Sequence, residues 1–585
     1  MIERQEFKND RACDAAHLRA MSREISSRPP RVLFWCAAVV VGLIQVWAHR
    51  HNINPDSISY IEIALSAREA GWKSYVNGYW SPLYPFLLTN AFRIFDPGPL
   101  WESTVVIFAN LAIYLANLAC FEWFLREVIR LRDASDRSAE RGFPISSRTL
   151  WICGYVFFLW AGQFWVTPGW VSPDLCAAGL GYLATAALIR IHRGQANWAT
   201  FVFFGAVLGL GYLAKAPMFP LAFVFLACGF LAVSSNRRAW TRATLAAVVF
   251  LMIAAPLAAS LSKAKGRMTF GDSGLINYAE FVDGAPKYVH WEGEPPGTGI
   301  PAHPPHRLLG EPAVYEFAAP IGGSYPLWYD PSYWYEGIKP HFSLNGQLMA
   351  LYRTMSSYLR IFSVTGTLYA VFVTLYFLVR KSGSWGGGWR EEKFVWIPLA
   401  AAFGMYALVH VEPRFVGGFG LMLLMRLLAG VRFEKQEGKW ALSGLASVII
   451  LAPALAVVFS TGKNLNDIVR HSTFEQWQVA RGLHEMGITQ GMELGYIGTG
   501  LGAYWAHLAG VRIIAEIPDK EQPRFVAADA ARRQQVLALF SSAGARAIVT
   551  RNVDAANLAD GWRQIPETHY FIWQEPWLIA APEKK

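Results

Sequence analysis

Long apolar segments constrain this chain more than any other feature of its sequence. Segments such as 102–125 and 243–262 have the length of roughly 20 residues that an α-helix needs to cross a membrane. Only 16% of the 585 residues are charged, whereas soluble domains carry about 25%. The sequence therefore predicts an integral membrane protein whose main part is an all-α, polytopic membrane domain.

About eleven segments satisfy this length rule. Segment 83–95 is also apolar, but it is shorter and carries Arg93, so an interfacial or re-entrant helix is expected there. The predicted spans are 32–49, 102–125, 149–166, 173–190, 198–214, 217–234, 243–262, 354–380, 394–410, 415–431 and 440–460.

The distribution of Lys and Arg predicts the orientation of these spans. Positive charges favour cytoplasmic loops, and the alternation holds along the chain if tail 1–31 is cytoplasmic. The net charge of +10 then reflects an excess of Lys and Arg in the cytoplasmic loops, and no nucleic-acid partner is expected. An odd number of spans puts the C-terminus outside. The membrane domain is 32–460, with outer loops 50–101 and 263–353, and 461–585 forms an extracytoplasmic domain.

Four ionisable residues fall at the predicted outer ends of four spans. Asp56 follows the first span, Asp174 begins the fourth, Lys215 ends the fifth and Arg414 begins the tenth. Ionisable groups at membrane depth are costly and usually line a cavity or pair with one another. Two acids that face two bases would form a site for an anionic substrate with a general base.

Each of these residues also has a simpler interpretation. Asp56 and Asp174 both follow a proline and are good helix-capping residues, whereas Lys215 and Arg414 are long enough to extend to the membrane interface. Tyr60 lies four residues after Asp56 on the same helix side, and packing explains it equally well. The residues alone leave these alternatives open, although four charges at one face favour a common site.

Five short motifs between 50 and 430 resemble the GT-C superfamily of membrane glycosyltransferases. They are NPDSISY, GYWSPLYPFLL, VSPDL, GLGYLAKAP and EPRF, in this order. The nearest group is the branch of protein O-mannosyltransferase-like and lipid A aminoarabinose-transferase-like enzymes. The resemblance implies an inverting transfer of a sugar from a polyprenyl-phosphate-linked donor to a hydroxyl acceptor, in the inner membrane of a bacterium.

The resemblance also implies roles for individual residues. Asp56 matches the catalytic aspartate of the first outer loop, and Lys215 and Arg414 match positions near the donor phosphate. From their positions in the sequence, Asp174 is expected to orient the acceptor or pair with Lys215, and Tyr60 and Glu62, on the helix after Asp56, are expected to contact substrate. With two cations at the phosphate no cofactor is expected, and a divalent metal stays open.

The acceptor is less constrained than the donor. Many protein mannosyltransferases of this family have an Asp-Glu pair where this chain has Asp56 and Ser57, which puts a protein acceptor in doubt and leaves glycans, lipids and proteins open. A transporter or flippase for a lipid-linked saccharide is an alternative, but it predicts mid-span charges and internal repeats, and the sequence shows no repeat. A polysaccharide ligase or polymerase would use similar machinery.

The two largest outer pieces have different compositions. Loop 263–353 contains PLWYDPSYWYEGIKPHF at 326–342 and is expected to fold as a lid, since aromatic side chains bury large areas. From 461 the pattern alternates helix and strand, which predicts a small α/β domain with some parallel pairing. Its GTGLGA, at 498–503, fits the dinucleotide fingerprint with Glu516 as the acidic partner, but a tight turn explains the glycines equally well.

Overall fold

The structure is a computed structural model, and it consists of a helical part and an α/β part. The predicted fold class is confirmed. The described residues are 31–136, 143–233, 237–286, 291–317, 323–363, 393–433, 438–470, 474–551 and 561–574.

The helical part contains most of the predicted spans. Segment 364–392 lies outside the described residues, so only the start of predicted span 354–380 is seen. The helices of this part are α1 (Arg31–Ala48), α2 (Pro55–Ala70), α3 (Leu83–Phe95), α4 (Pro99–Asp136), α5 (Ser147–Phe164), α6 (Asp174–His192), α7 (Trp198–Ala214), α8 (Met218–Ala232), α9 (Arg237–Lys265), α10 (Ser273–Phe281), α11 (Pro326–Tyr329), α12 (Pro331–Trp334), α13 (Leu344–Ser363), α14 (Lys393–Ala407), α15 (Pro413–Gly430) and α16 (Gly438–Val469).

Among the described residues, six helices are long and apolar enough to cross a membrane. They lie in α1, α4, α6, α9, α15 and α16, and α7, α8 and α14 are shorter apolar helices. Small residues allow close contacts between them, as at Gly205 of α7, where an added Cβ would lie 2.2 Å from the carbonyl oxygen of Ala246. Such small-residue contacts are typical of helices that pack within a membrane. The protein is therefore an integral membrane protein.

Helix α2 begins with a capping box that does not use Asp56. The Asn54 side chain accepts a hydrogen bond from the Ser57 backbone N–H, and the Ser57 hydroxyl accepts one from the Asn54 backbone N–H. Pro55 occupies the first turn, where its missing N–H costs nothing. The capping interpretation of Asp56 is therefore wrong, and its carboxylate in the first turn is available for other contacts.

The C-terminal α/β part is built on a sheet that also uses the second outer loop. Its strands are β2 (His306–Leu309), β3 (Val314–Glu316), β5 (Glu493–Ile497), β6 (Arg512–Ile517), β7 (Ala547–Arg551), β8 (Trp562–Gln564) and β9 (Tyr570–Gln574). Strand β5 pairs in parallel with β6 and β7, in agreement with the predicted parallel pairing, and β9 and β8 continue the sheet. On the other side β6 pairs with β3 and β3 with β2, both antiparallel strands of the outer loop.

Short strands and helices complete this description. The two-residue strands β1 (Phe143–Pro144) and β4 (Arg432–Phe433) pair with each other. The alternating pattern of 461–585 also predicts a strand at 576–580, and this segment lies outside the described residues. The remaining helices are α17 (Glu475–Glu485), α18 (Trp505–Ala509), α19 (Gln522–Ala527) and α20 (Ala530–Ser542).

Side chains of the outer loop and of β6 occupy the space beside the glycine-rich turn that follows β5. The Gly500 N–H donates to the Glu516 carboxylate over 2.8 Å, and a Cβ on Gly500 would lie 2.5 Å from the ring of Tyr325. Gly498 has a φ of 146°, a conformation that side chains rarely adopt. The glycines therefore make a tight turn against Tyr325 and Glu516, in the space that a nucleotide would need.

Candidate active site

A cavity of about 340 Å³ lies at the ends of α2, α6, α7 and α15. All four predicted charged residues line it, together with Tyr60. Other lining residues come from the first outer loop, from α10 and from the end of α14; among them are Tyr79, Trp80, Asn277, Phe281, Tyr406, His410 and Glu412. Residues that are far apart in the sequence thus meet in one partly enclosed space.

Arg414 lies at the centre of the charged groups. Its Nη2 donates to Asp56 over 2.8 Å and its Nε donates to Glu412 over 2.7 Å. Asp174 Oδ2 is 3.8 Å from the same Nε. Because Arg414 is the first residue after Pro413 at the start of α15, its side chain is held close to the helix end and reaches three carboxylates.

Lys215 and Asp174 form the second ion pair of the cavity. Lys215 Nζ donates to Asp174 Oδ1 and lies 3.8 Å from the centre of the Phe415 ring. Asp174 is the first residue of α6, and its side chain makes no capping hydrogen bond. Asp174 therefore pairs with Lys215, one of the two roles that the sequence leaves open, and Lys215 points into the cavity and not to a membrane surface.

Glu412 and His410 are two cavity residues that the sequence analysis does not select. His410 Nε2 lies 3.3 Å from Glu412 Oε1, and its ring stacks on Phe281 with centroids 4.0 Å apart. Burial raises the pKa of Glu412, but hydrogen bonds from His410 and Arg414 outweigh it and lower the pKa to about 2. The only signal in the sequence is that Glu412 stands two residues before Arg414 in EPRF.

Tyr60 and Glu62 have different surroundings although both follow Asp56 on α2. Tyr60 lines the cavity and packs against Trp80 and Tyr84, with ring centroids 4.9 and 5.2 Å away. Glu62 points to the opposite side of α2 and does not line this cavity. Its carboxylate accepts from the Ser324 N–H over 2.7 Å.

The second side of α2 faces another cavity of about 700 Å³ between the helical and α/β parts. His507 of α18 is buried there between two carboxylates, 3.3 Å from Glu62 and 2.8 Å from Glu102 of α4. These contacts tie the α/β part to the helical part. Within the described ranges, no group of three or more His, Cys, Asp or Glu residues is arranged to hold a metal ion.

The fold is that of the GT-C membrane glycosyltransferases, which the five motifs predict. The structure is similar to that of apo ArnT, a lipid A aminoarabinose transferase, from Cupriavidus metallidurans, with a TM-score of 0.55, 14% identity, and coverage of 94% of this chain and 99% of that chain. ArnT bound to undecaprenyl phosphate gives a TM-score of 0.54 with the same identity and coverage. An oligosaccharyltransferase of Archaeoglobus fulgidus is more distant, with a TM-score of 0.44, 12% identity, and coverage of 88% of this chain and 67% of that chain.

The likeness is structural and not one of close sequence relationship. No protein-family model matches the chain, and no curated protein matches it. At 14% identity the likeness to ArnT establishes the fold and not the activity.

Proposed function

We propose that this protein is an inverting glycosyltransferase that moves a sugar from a polyprenyl-phosphate donor to a hydroxyl acceptor. The observation that carries the proposal is the meeting of Asp56, Arg414 and Lys215 in one cavity at the helix ends. A carboxylate near two cations matches the needs of this reaction: a base for the acceptor and positive charge for the leaving phosphate.

The reaction uses the cavity residues in a defined way. Asp56 takes the proton of the acceptor hydroxyl as its oxygen bonds to the anomeric carbon of the sugar. The bond from that carbon to the phosphate oxygen breaks on the opposite face, and the electron pair stays on the phosphate. Arg414 and Lys215 stabilise the charge that develops there.

Two further observations support a lipid-linked donor. The cavity lies at the ends of α6 and α15, two helices that are long and apolar enough to cross a membrane, so a polyprenyl tail can stay in lipid while its phosphate enters. ArnT, which has the same fold, was solved with undecaprenyl phosphate bound. We propose that the cavity opens on the outer face of the bacterial inner membrane, with the N-terminus in the cytoplasm and the α/β domain in the periplasm.

The acceptor is proposed more coarsely, as a glycan, lipid or protein hydroxyl. Ser57, which replaces an acid found in many protein mannosyltransferases, is buried and belongs to the capping box of α2. It therefore adds no second carboxylate to the cavity. A second acid for a protein acceptor is thus absent at this position.

The decisive experiment is transfer in vitro with the purified full chain. A panel of polyprenyl-phosphate sugars is offered with membrane extracts as acceptor, and products are read by mass spectrometry. Asp56→Asn is expected to lower the rate by about 10²–10⁴-fold, the usual contribution of a general base. The matched control is Asp96→Asn, because Asp96 is exposed and pairs with Arg68.

Two results would contradict the proposal. Full activity of Asp56→Asn would show that Asp56 is not the general base. Movement of a lipid-linked saccharide across reconstituted vesicles, without transfer, would indicate the flippase alternative.

A further inference from the structure

Both cations of the cavity are already paired with carboxylates. Lys215 pairs with Asp174, and Arg414 pairs with Asp56 and Glu412. A phosphate that enters the cavity therefore meets no cation without a carboxylate partner. It has to share a cation with a carboxylate or replace one.

The geometry of the guanidinium indicates where a phosphate can bind. A guanidinium binds phosphate most strongly in a bidentate way, with two parallel N–H donors. Because Nε of Arg414 donates to Glu412, the pair of Nε with Nη2 is blocked, and the pair of Nη1 with Nη2 is left. One N–H of Nη2 donates to Asp56, so a phosphate on this pair lies beside the Asp56 carboxylate, and the repulsion between the two anions weakens the bond from Arg414 to Asp56.

The other partner of Arg414, Glu412, has a second contact in the cavity. Glu412 accepts from Nε on one oxygen and lies against His410 on the other. His410 in turn stacks on Phe281 of α10. Glu412 is thus fixed from both sides and keeps Arg414 oriented when Nη2 changes partner.

Solvent exposure excludes exchange at Asp174 but not at the two main partners of Arg414. The side chains of Asp56 and Glu412 are 29% and 37% exposed, whereas that of Asp174 is 3% exposed. A buried charge that loses its partner is costly, and an exposed one is solvated by water. Asp174 therefore stays with Lys215. The choice between Asp56 and Glu412 follows from the nitrogen of Arg414 that each occupies and from the second contact of Glu412.

We propose that Asp56 and the donor phosphate compete for Nη2 of Arg414, and that Glu412 is the positioning residue that holds Nε during this exchange. The inference rests on the proposed function. In the absence of donor, Asp56 Oδ2 is occupied by Arg414. The exchange frees this oxygen to accept a hydrogen bond from the acceptor hydroxyl, so the donor binds before Oδ2 turns to the acceptor.

Binding of undecaprenyl phosphate to the full chain in detergent tests the competition. Asp56→Asn removes the competing charge and is expected to lower the Kd by about 2–10-fold, the net worth of one such hydrogen bond. Asp56→Ala is also expected to lower the Kd, and it replaces Asp56→Asn in this test if the Asn variant is unstable. Asp96→Asn is the control and is expected to leave the Kd unchanged.

The positioning role of Glu412 is tested by measuring whether its substitution changes the donor KM or kcat. Glu412→Gln is expected to raise the donor KM by about 10-fold, with partial rescue in Glu412→Asp. A merely structural role would reduce the amount of folded enzyme and leave KM unchanged.

The possible failures are distinguishable. If the wild-type chain neither binds undecaprenyl phosphate nor transfers sugar, the proposed function is wrong and this inference falls with it. If the wild type binds and transfers but both Asp56 variants bind undecaprenyl phosphate no more tightly, only the competition is wrong. An unchanged donor KM in Glu412→Gln would remove the positioning role.

Discussion

Replacing His507 by Gln tests how the α/β part is held on the helical part. His507 is 5% exposed and lies between the carboxylates of Glu62 and Glu102. Burial lowers the pKa of His507, but its hydrogen bonds to Glu102 and Glu62 outweigh it and raise the pKa to about 10. The histidine is therefore a buried cation at neutral pH, and Gln cannot replace its charge.

The size of the effect follows from the pKa. The ordinary value is 6.5, and each unit of difference corresponds to about 1.4 kcal/mol. Because the folded-state pKa is the higher one, the stabilisation is complete below pH 6.5 and is lost as the pH rises through about 10. It amounts to about 4 kcal/mol at pH 7 and about 1–2 kcal/mol at pH 9.

Unfolding of the purified full chain, followed by tryptophan fluorescence, measures this difference. Trp505, two residues before His507, is fully buried and reports on the same region. The free energy of unfolding of His507→Gln is compared with that of the wild type between pH 6.5 and 10. Groups that titrate in both proteins cancel in the comparison.

The matched control is His484→Gln. His484 is in the same α/β part, but its Nε2 bonds to the carbonyl oxygen of Ala509. Its effect is expected to be the loss of one hydrogen bond to a backbone carbonyl, about 1 kcal/mol. A difference for His507→Gln that stays constant from pH 7 to pH 10, or an equal pH dependence in the control, would refute the reasoning.

Two further predictions concern close contacts at glycines. Gly205→Val is expected to lower the thermal stability of the protein in detergent, because its Cβ would lie 2.2 Å from the Ala246 carbonyl oxygen. Overpacking of this kind costs about 1–3 kcal/mol. The control is Gly404→Val, because nothing lies within 4 Å of a Cβ at that position. Gly500→Ala is expected to destabilise the α/β part by a similar amount, because the added Cβ would collide with Tyr325 and Glu516. NAD is expected to leave the unfolding temperature of the wild type unchanged. An increase of the unfolding temperature by NAD would support nucleotide binding at this turn.

Sequence reasoning predicts the helices well because the ability to span a membrane is a local property. The predicted span 198–214 coincides with α7 (Trp198–Ala214). Helix starts are less certain, because Asn54, Asp56 and Ser57 are all capping residues by type. Only the backbone geometry shows that Asn54 and Ser57 form the cap.

The charged cavity could be anticipated only in part. Asp56, Asp174, Lys215 and Arg414 stand at helix ends that the topology puts at one face, so their meeting follows from the order of the spans. The partners of Glu62 do not follow in this way. His507 is 445 residues further along the chain, and nothing near Glu62 in the sequence indicates it.

Strands β2 and β3 share one sheet with β6, although roughly 200 residues separate Glu316 from Arg512. At about 5–20 residues per second of synthesis, the ribosome makes the hairpin roughly 10–40 s before its partner strand. Throughout that interval β3 has an unpaired edge, which is a template for aggregation. During biosynthesis the edge of β3 therefore stays unpaired until β6, in the last fifth of the chain, has been made. In a chain truncated before β6 this edge would stay unpaired.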